Sequence, residues 1–293
     1  MPASVKQTSS ARQISAADFP ALLREIPDAP KRLYIRGAMP PEELRFLCVV
    51  GSRACTPYGR RATQQLVAGL SKYPIAIVSG MALGIDAEAL KAALDVGLPA
   101  VAVLPSSVDD ASIYPSTNRP LAARILARGG ALISESPAPY KAMLYDFPKR
   151  DRIMAALAHA TLIIEAGEKS GTLITARLAL DYNREVLCVP HELSRESGKG
   201  VNRLIREGAT LVQSSDDILQ ALGFSPATDP AQGTLPTDLT DSETSLMVAL
   251  KEPLVRDELI ELTQLSAQDA SIALSSLLIR GLIHERLGKI ERV

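Results

Sequence analysis

Short apolar segments without polar alternation recur along this chain, separated by stretches of helical periodicity. The apolar segments are residues 46–50, 75–79, 100–104, 131–134, 161–165, 185–189 and 210–212. The helical patterns between and after them are residues 59–71, 84–96, 121–128, 150–158, 172–183, 200–207 and 216–222. Strands that are apolar on both faces and alternate with helices are typical of a mainly parallel sheet with helices on both faces. The sequence therefore predicts an α/β fold.

The chain divides into four parts around this pattern. Residues 1–45 are predicted to be an N-terminal tail and an extended lead-in, and residues 46–224 are predicted to form the α/β domain. Residues 225–240 contain three prolines and are predicted to be a linker. Residues 241–293 contain three short helical patterns and two short strands around a glycine, which is the pattern of a winged-helix module.

The last helix of this C-terminal module is the one that a DNA-reading winged helix places in the major groove. Here the helix, residues 268–280, carries Asp269 and has its only basic residue, Arg280, at its far end. DNA-reading helices bring arginine or lysine to phosphates and bases. Contact with another protein is therefore the favoured role of the module, and DNA reading is the alternative.

Composition limits the partners that this chain can have. A formal net charge of −1 excludes a protein that coats nucleic acid by bulk electrostatics, so a polyanion site must be a local patch. Cys48, Cys55 and Cys188 have no metal-ligand spacing, and two of them lie in or beside apolar strands. No apolar run approaches the ~18 residues of a membrane span, and we find no signal-peptide core. We expect a soluble cytoplasmic protein with no metal, no cofactor and no membrane partner.

Two turns of small residues follow apolar strands and open helices. Gly51-Ser52-Arg53 follows the first strand, and Ser170-Gly171-Thr172 follows the fifth. Gly51 permits a ligand to approach the backbone, and a helix start offers free N–H groups and a positive dipole end to a phosphate. Each turn alone is equally typical of an ordinary strand-to-helix connection. Two such turns at the carboxyl ends of strands in one sheet predict an anion-binding crevice.

Two further features follow predicted strands. Gly80 and Gly84 permit tight backbone approach around Asp86, whose favoured role is capping and loop-bracing. Holding a ligand hydroxyl and doing chemistry are the alternatives for this carboxylate. Tyr114 either offers a ring for base stacking or, with Pro115, only fixes a loop.

The densest basic cluster of the α/β domain consists of Lys149, Arg150 and Arg152. It lies at the predicted start of a helix, where cations oppose the helix dipole and repel one another. A locally unfavourable cluster of cations, with no evident interaction that offsets its cost, indicates a functional role for these residues. The alternative is a solvated cluster whose charge is eased by Asp146 and Asp151.

In their order along the chain, these motifs resemble those of the DNA-processing protein A family (DprA, also called Smf). The matching segments are Val50-Gly51-Ser52-Arg53 with Tyr58-Gly59, Ser79-Gly80-Met81-Ala82-Leu83-Gly84-Ile85-Asp86, Ile113-Tyr114-Pro115 with Asn118, Ile133-Ser134-Glu135, Phe147-Pro148-Lys149-Arg150-Asp151-Arg152-Ile153, Ser170-Gly171-Thr172-Leu173-Ile174-Thr175-Ala176, and Val189-Pro190 followed by Gly200-Val201-Asn202-Arg203-Leu204-Ile205. The resemblance covers roughly residues 22–224, and the C-terminal module also looks like the winged helix of the family.

The resemblance implies an extended Rossmann-like domain that binds single-stranded DNA, forms a homodimer and loads a RecA-type recombinase onto incoming DNA during natural transformation. The residues that would hold a DNA phosphate are Gly51, Ser52 and Arg53. The residues that would extend the basic pocket are Lys149, Arg150 and Arg152. The residues that would line the opening of the same pocket are Ser170, Gly171 and Thr172, with Gly80, Asp86 and Tyr114 as accessory positions.

The sequence departs from the usual pattern of this family at four places. Asp151 stands where the family usually has asparagine, and His191 and Ala156 stand where it usually has glycine. The usual Gly-rich turn after the third strand is replaced by Pro105-Ser106-Ser107. A diverged paralogue that keeps the fold therefore remains an alternative.

Two other functions stay open on the same fold. One is a phosphoribohydrolase that cleaves nucleoside monophosphates, although the turn at residues 166–172 lacks the double glycine of such enzymes. The other is a sensor that binds a nucleotide and signals through the C-terminal module. Because the crevice turns offer no nucleophile–base pair, we expect a binding protein rather than an enzyme.

Overall fold

In the computed structural model, which describes residues 11–224, 239–250, 254–286 and 288–292, the chain divides after Phe224 into two units. The first unit is built on one sheet with the strand order β1-β2-β6-β5-β4-β3-β7-β8-β9. Its strands are β1 (Arg12–Ser15), β2 (Arg32–Gly37), β3 (Arg45–Val50), β4 (Ile75–Ser79), β5 (Ala100–Val103), β6 (Ala131–Ser134), β7 (Ala160–Ile163), β8 (Glu185–Cys188) and β9 (Thr210–Leu211).

Strands β3 to β9 are parallel, and the connections run outward from β3 in both directions. From β3 the chain proceeds through β4 and β5 to β6, and it then returns to the other side of β3 to add β7, β8 and β9. The order therefore reverses between β3 and β7. In open α/β sheets this reversal opens a crevice beyond the carboxyl ends of the strands.

Helices cover both faces of the sheet. They are α1 (Ala21–Arg24), α2 (Pro57–Ala68), α3 (Ile85–Asp95), α4 (Arg119–Ala127), α5 (Asp146–Leu157), α6 (Thr172–Asp181), α7 (Lys199–Arg206) and α8 (Ser215–Ala221), with short 3-10 turns at Ala16–Asp18, Ser116–Asn118 and Glu196–Gly198. One apolar core joins the sheet to α2, α3, α4 and α8, and a second joins its other face to α1, α5, α6 and α7. The predicted α/β fold with a mainly parallel, doubly covered sheet is confirmed.

The N-terminal segment differs from the prediction of a tail and an extended lead-in. Strand β2 pairs antiparallel with β6, and β1 pairs antiparallel with β2, so both extend the sheet at one edge. The reason is an alternating pattern: Leu33 and Ile35 are buried in the core, while Arg32 is exposed. Residues 1–10 of the predicted tail lie outside the described residues.

Two of the three cysteines are buried in strands of this sheet, as the sequence predicts. Burial raises the pKa of the Cys188 thiol to about 12, and it raises the pKa of Cys48 as well. Neither thiol therefore forms a reactive thiolate near neutral pH.

The second unit combines three helices with a small antiparallel sheet. The helices are α9 (Asp241–Ala249), α10 (Arg256–Thr263) and α11 (Ala267–Ile279), and the strands are β10 (Leu254–Val255), β11 (Ile283–Arg286) and β12 (Lys289–Arg292), in the order β10-β12-β11. Strand β10 was not predicted. Leu246, Leu259 and Leu274 belong to a separate apolar core. The predicted linker falls largely on residues 225–238, outside the described residues.

Among the helices that the structure describes, none has the length and apolar character needed to cross a membrane.

Candidate functional site

The turns that follow β3 and β7 line one crevice of about 550 Å³ at the point where the strand order reverses. The first turn contributes Gly51, Ser52 and Arg53 to its wall. The second turn contributes Ser170, Gly171 and Thr172. The structure thus brings together two motifs that are far apart in the sequence, because β3 and β7 are neighbours in the sheet.

The first turn packs tightly against the start of helix α3. A Cβ atom on Gly51 would lie 2.7 Å from Cγ1 of Ile85, so only glycine fits there. The N–H of Ile85 donates to the carbonyl of Ser52 at 3.2 Å. Gly84 has a φ of +75° and lies against the carbonyls of Ser52 and Arg53. The close approach at Gly51 therefore serves the packing of α3 on the turn, and because Gly51 also lines the crevice, its contact with a ligand stays a prediction.

The second turn is open toward the crevice. The hydroxyl of Ser170 accepts a hydrogen bond from the N–H of Thr172 at 3.2 Å, which shapes the start of helix α6. A Cβ atom on Gly171 would meet no atom within 4 Å, so space remains in front of the backbone. The amino-terminal end of α6 consequently presents its positive dipole end to a region that a ligand can enter.

Arg53 is the exposed cation of the crevice, and it rests on an aromatic ring. Its guanidinium lies 4.8 Å from the ring centroid of Phe147. Tyr114 is 50% exposed and meets the same ring edge-on, with 5.8 Å between the ring centroids. Among the described residues, no carboxylate forms a salt bridge with Arg53. A cation beside two rings can bind a phosphate and the base attached to it.

Phe147 is a site residue that the sequence analysis did not single out, although it lies in the same motif as the basic cluster. The sequence feature that could have identified Phe147 is its position two residues before Lys149. In the structure both residues belong to a helix that begins at Asp146. The prediction that this helix begins at Arg150 is wrong, and the basic cluster lies in its interior rather than at its start.

Arg150 is buried, and two carboxylates neutralise it. Its side chain is 5% exposed, with Nε 3.1 Å from Asp151 and Nη1 3.7 Å from Asp86. A Cβ atom on Gly80 would collide with this guanidinium, so the glycine makes room for it. Arg150 therefore lines the crevice as part of an ion cluster and not as a free cation, because both acids lie within its reach.

The two carboxylates of this cluster have raised pKa values. Burial raises the pKa of Asp86 to about 6, although Arg150 acts to lower it. Burial also raises the pKa of Asp151, against the opposing effects of Arg150 and Arg53. Asp86 accepts the N–H of Ala82 at 3.4 Å, and this contact, together with the ion pair, fits its favoured role of bracing the loop after β4.

The other two cations of the basic cluster lie on the opposite side of helix α5. Lys149 and Arg152 line a second cavity of about 500 Å³, and Arg152 donates to Glu135 at 2.5 Å. Lys149 is exposed, with Nζ 4.8 Å from the ring centroid of Tyr145. Arg150 lines this cavity as well as the crevice, so the expectation of one basic pocket is replaced by two adjoining cavities that share Arg150.

Glu165, which follows β7, is fully buried and engaged. Its two oxygens accept from the N–H of Thr56 at 2.9 Å and from the Thr56 hydroxyl at 2.5 Å. The same hydroxyl accepts the N–H of Gly59 at 3.1 Å, which caps helix α2. This carboxylate therefore holds the start of α2 in place.

Together these features define a Rossmann-like domain whose switch-point crevice contains a helix N-terminus, an exposed arginine and aromatic rings. Among the residues that the structure describes, neither a histidine nor a cysteine lines the crevice. Over residues 11–223 the chain matches the family of DNA recombination-mediator protein A, and it belongs to that family.

Curated relatives agree with this membership. The chain is 34% identical to Protein Smf of Synechocystis sp. over 308 aligned residues, which cover 92% of this chain and 77% of the relative. It is 35% identical to DNA processing protein DprA of Streptococcus pneumoniae over 206 residues, which cover 70% of this chain and 72% of the relative. Its match to Protein Smf of Escherichia coli, at 38% identity, covers 70% of this chain and 54% of that protein, so the match spans about half of that relative.

Two solved structures share the fold. DprA from Streptococcus pneumoniae has a TM-score of 0.68 and 33% identity, with 73% of this chain and 75% of that chain covered. DprA from Helicobacter pylori, a protein solved for its single-stranded DNA binding mode, has a TM-score of 0.63 and 28% identity. That match covers 72% of this chain and 95% of the Helicobacter pylori chain.

Proposed function

We propose that this chain binds single-stranded DNA in the crevice between β3 and β7, without strong sequence preference. The observation that carries the proposal is the meeting of the two phosphate-binding turns beside Arg53, which lies over the ring of Phe147. Rings of this kind stack on any base, while the arginine and the start of α6 take the phosphate. The binding mode described for the Helicobacter pylori relative supports the choice of ligand.

The test is a salt titration with Arg53→Ala. Each phosphate contact contributes about −0.7 to the slope of log affinity against log salt for single strands. Arg53→Ala is expected to weaken oligo-dT binding and to flatten that slope by about this amount. Arg128→Ala is the matched control, because Arg128 is an exposed arginine at the end of α4, near where β6 begins and away from the crevice edge. Equal slopes for the parent and Arg53→Ala would refute the assignment.

We further propose that the bound strand is handed to a RecA-type recombinase, so that the protein protects incoming DNA and acts as a mediator during natural transformation or recombination. Membership of the recombination-mediator family supports this role. A homodimer in the cytoplasm is part of the proposal. Recombinase loading onto DNA coated with a single-strand-binding protein tests the role, and light scattering tests the dimer.

The proposal includes no turnover of DNA or nucleotides. It is supported by the engagement of Glu165 with Thr56 and of Asp86 and Asp151 with Arg150, since these carboxylates in or near the crevice have structural partners. The phosphoribohydrolase alternative predicts release of free base from nucleoside monophosphates, which chromatography detects directly.

A further inference from the structure

Helix α5 lies between the crevice and the second cavity, and its buried Arg150 lines both. Phe147, Asp151 and Met154 face the crevice, at the i, i+4 and i+7 spacing of one helix face. Lys149 and Ile153 face the second cavity, at the i and i+4 spacing of another face. Because a helix with its side chains is about 10–12 Å wide, the two cavities are close neighbours on one edge of the sheet.

Each cavity carries one exposed cation that rests on an aromatic ring. Arg53 lies 4.8 Å from the ring centroid of Phe147 on the crevice side, and Lys149 lies 4.8 Å from that of Tyr145 on the other side. Among the described residues neither cation forms a salt bridge with a carboxylate. The second cavity therefore repeats, with different residues, the combination of cation and ring found in the crevice.

A second ring belongs to this cavity. The hydroxyl of Tyr140 lies 3.3 Å from that of Tyr145 and donates to Asp146 at 2.7 Å. Asp146 also accepts the N–H of Met143 at 2.8 Å, which fixes the segment that carries both rings. Tyr145 remains 57% exposed, so its ring is available to a ligand.

The interior of the cavity is balanced in charge. Arg152 is bonded to Glu135 at 2.5 Å and to the backbone carbonyl of Asp28 at 2.5 Å. Such an interior suits a neutral heterocycle with hydrogen-bonding edges better than a cluster of phosphates. Lys149, exposed and without a carboxylate partner, supplies one phosphate contact.

We propose that the second cavity binds a further nucleotide of the same DNA strand, with its base against Tyr145 and Tyr140 and its phosphate at Lys149. The strand then crosses the first turn of α5, over Pro148, on its way from the crevice. This inference rests on the proposed binding of single-stranded DNA and adds a second site to it.

The binding test compares three variants by fluorescence anisotropy with a labelled oligo-dT. Tyr145→Ala is expected to weaken binding at least about fivefold, because stacking on one aromatic ring strengthens base binding by that much or more. Tyr145→Phe keeps the ring and is expected to stay within about twofold of the parent. Leu144→Ala is the matched control, since Leu144 is 89% exposed and is not part of the cavity lining.

A cross-linking test on the unaltered protein does not depend on any variant being folded. Oligonucleotides that carry 5-iodouracil at successive positions are irradiated, and the modified peptide is identified by mass spectrometry. We expect one position to label the segment with Tyr140 and Tyr145, and a nearby position to label the segment with Phe147. Thymidine 5′-monophosphate is added as a competitor to distinguish a free nucleotide from a strand.

The outcomes separate this inference from the proposed function. If Tyr145→Ala binds like the parent and no tyrosine is labelled, while Arg53→Ala binds weakly, the second site is refuted and the crevice stands. If the parent does not bind single strands, the proposed function itself fails. If the mononucleotide removes the tyrosine label at the same nucleotide concentration as the oligonucleotide, the cavity takes free nucleotides and the strand path is wrong.

Discussion

Replacement of Arg150 by methionine is expected to destabilise the α/β unit strongly while leaving the apolar part of the side chain in place. Arg150 is 5% exposed and lies between Asp151, 3.1 Å away, and Asp86, 3.7 Å away. Methionine removes the cation and leaves two buried carboxylates facing each other. Removal of one partner from a buried ion pair costs about 3–5 kcal/mol of folding free energy.

The pH dependence of this loss separates charge from packing. In the parent protein the pKa of Asp86 is about 6, and Arg150 acts to lower it. Without Arg150 this pKa rises further, while the unfolded chain keeps a value of about 3.9. Between the two folded-state values, Asp86 of the variant is protonated when folded and ionised when unfolded. The variant then loses about 1.4 kcal/mol of stability per pH unit as pH rises, whereas the parent loses none through this group.

Urea denaturation followed by circular dichroism at pH 6, 7 and 8 measures the effect. The stability gap between the parent and Arg150→Met is expected to widen toward pH 8. The control is the triple variant Arg150→Met, Asp86→Asn, Asp151→Asn, in which the trend should disappear because no buried acid remains in the cluster. A gap that stays constant from pH 6 to pH 8 would refute the electrostatic account and leave only packing.

Three further predictions concern a glycine in a turn, a buried carboxylate and the C-terminal module. Gly51→Ala is expected to lower the stability by about 1–3 kcal/mol through overpacking against α3, while Gly171→Ala, with open space, changes it by under about 0.5 kcal/mol; equal melting temperatures for the two variants would contradict this. Glu165→Gln is expected to cost about 1–3 kcal/mol because one amide hydrogen then faces Thr56. Neither that variant nor the parent should release base from ribonucleotides, and base release by the parent that is lost in Glu165→Gln would restore the phosphoribohydrolase alternative. Truncation after Phe224 is expected to leave the single-strand dissociation constant within about threefold, or roughly 0.7 kcal/mol; a tenfold loss in the folded, truncated protein would show that the C-terminal module holds DNA.

The truncation prediction depends on the exposed surface of helix α11. Ser266 and Asp269 at its start are bonded to each other, and Ile272 and Ile279 on its length are 62% and 88% exposed. Arg256 donates to Ser271 on this surface, and Arg280 lies at its far end beside Glu243. The surface therefore offers mainly apolar and hydroxyl groups and few of the cations that phosphates require. Protein contact therefore remains the favoured role of this module.

The parallel core of the fold could be predicted from the sequence because its central strands are mostly apolar and buried. Strand β4 was predicted with the bounds that the structure has, at residues 75–79, and β6 likewise at 131–134. The antiparallel strands β1 and β2, which extend the sheet beyond β6, were missed because their signal is weaker. Only Leu33 and Ile35 alternate with less buried neighbours in β2, and Pro20, Pro27 and Pro30 before it suggested an extended lead-in.

The parts of the site that depend on local backbone turns could be predicted from the sequence. The parts that depend on contacts between residues far apart in the chain were harder to predict. The turns around Ser52 and Ser170 could be placed at strand ends from local pattern alone. The state of Arg150 could not, because its partner Asp86 is distant in the sequence and reaches it only through the order of β3, β4 and α5. A cluster of cations in a sequence shows charge, but only the fold shows which charges are already paired.

Two of the departures from the family pattern, His191 and Asp151, introduce ionisable side chains. Specific local contacts accommodate each of them. The ring of His191 lies against Gly198, and its Nε2 is 2.7 Å from the carbonyl of Ile164, so the ring fills space beside the end of β7. The carboxylate of Asp151 lies 3.1 Å from Nε of Arg150, which makes it a partner of a buried cation. Because that pairing neutralises Arg150, the exposed cations of the two cavities, Arg53 and Lys149, are the ones that we propose to bind phosphates. A strand that uses both cations has to cross helix α5, and this requirement links the crevice to the second cavity.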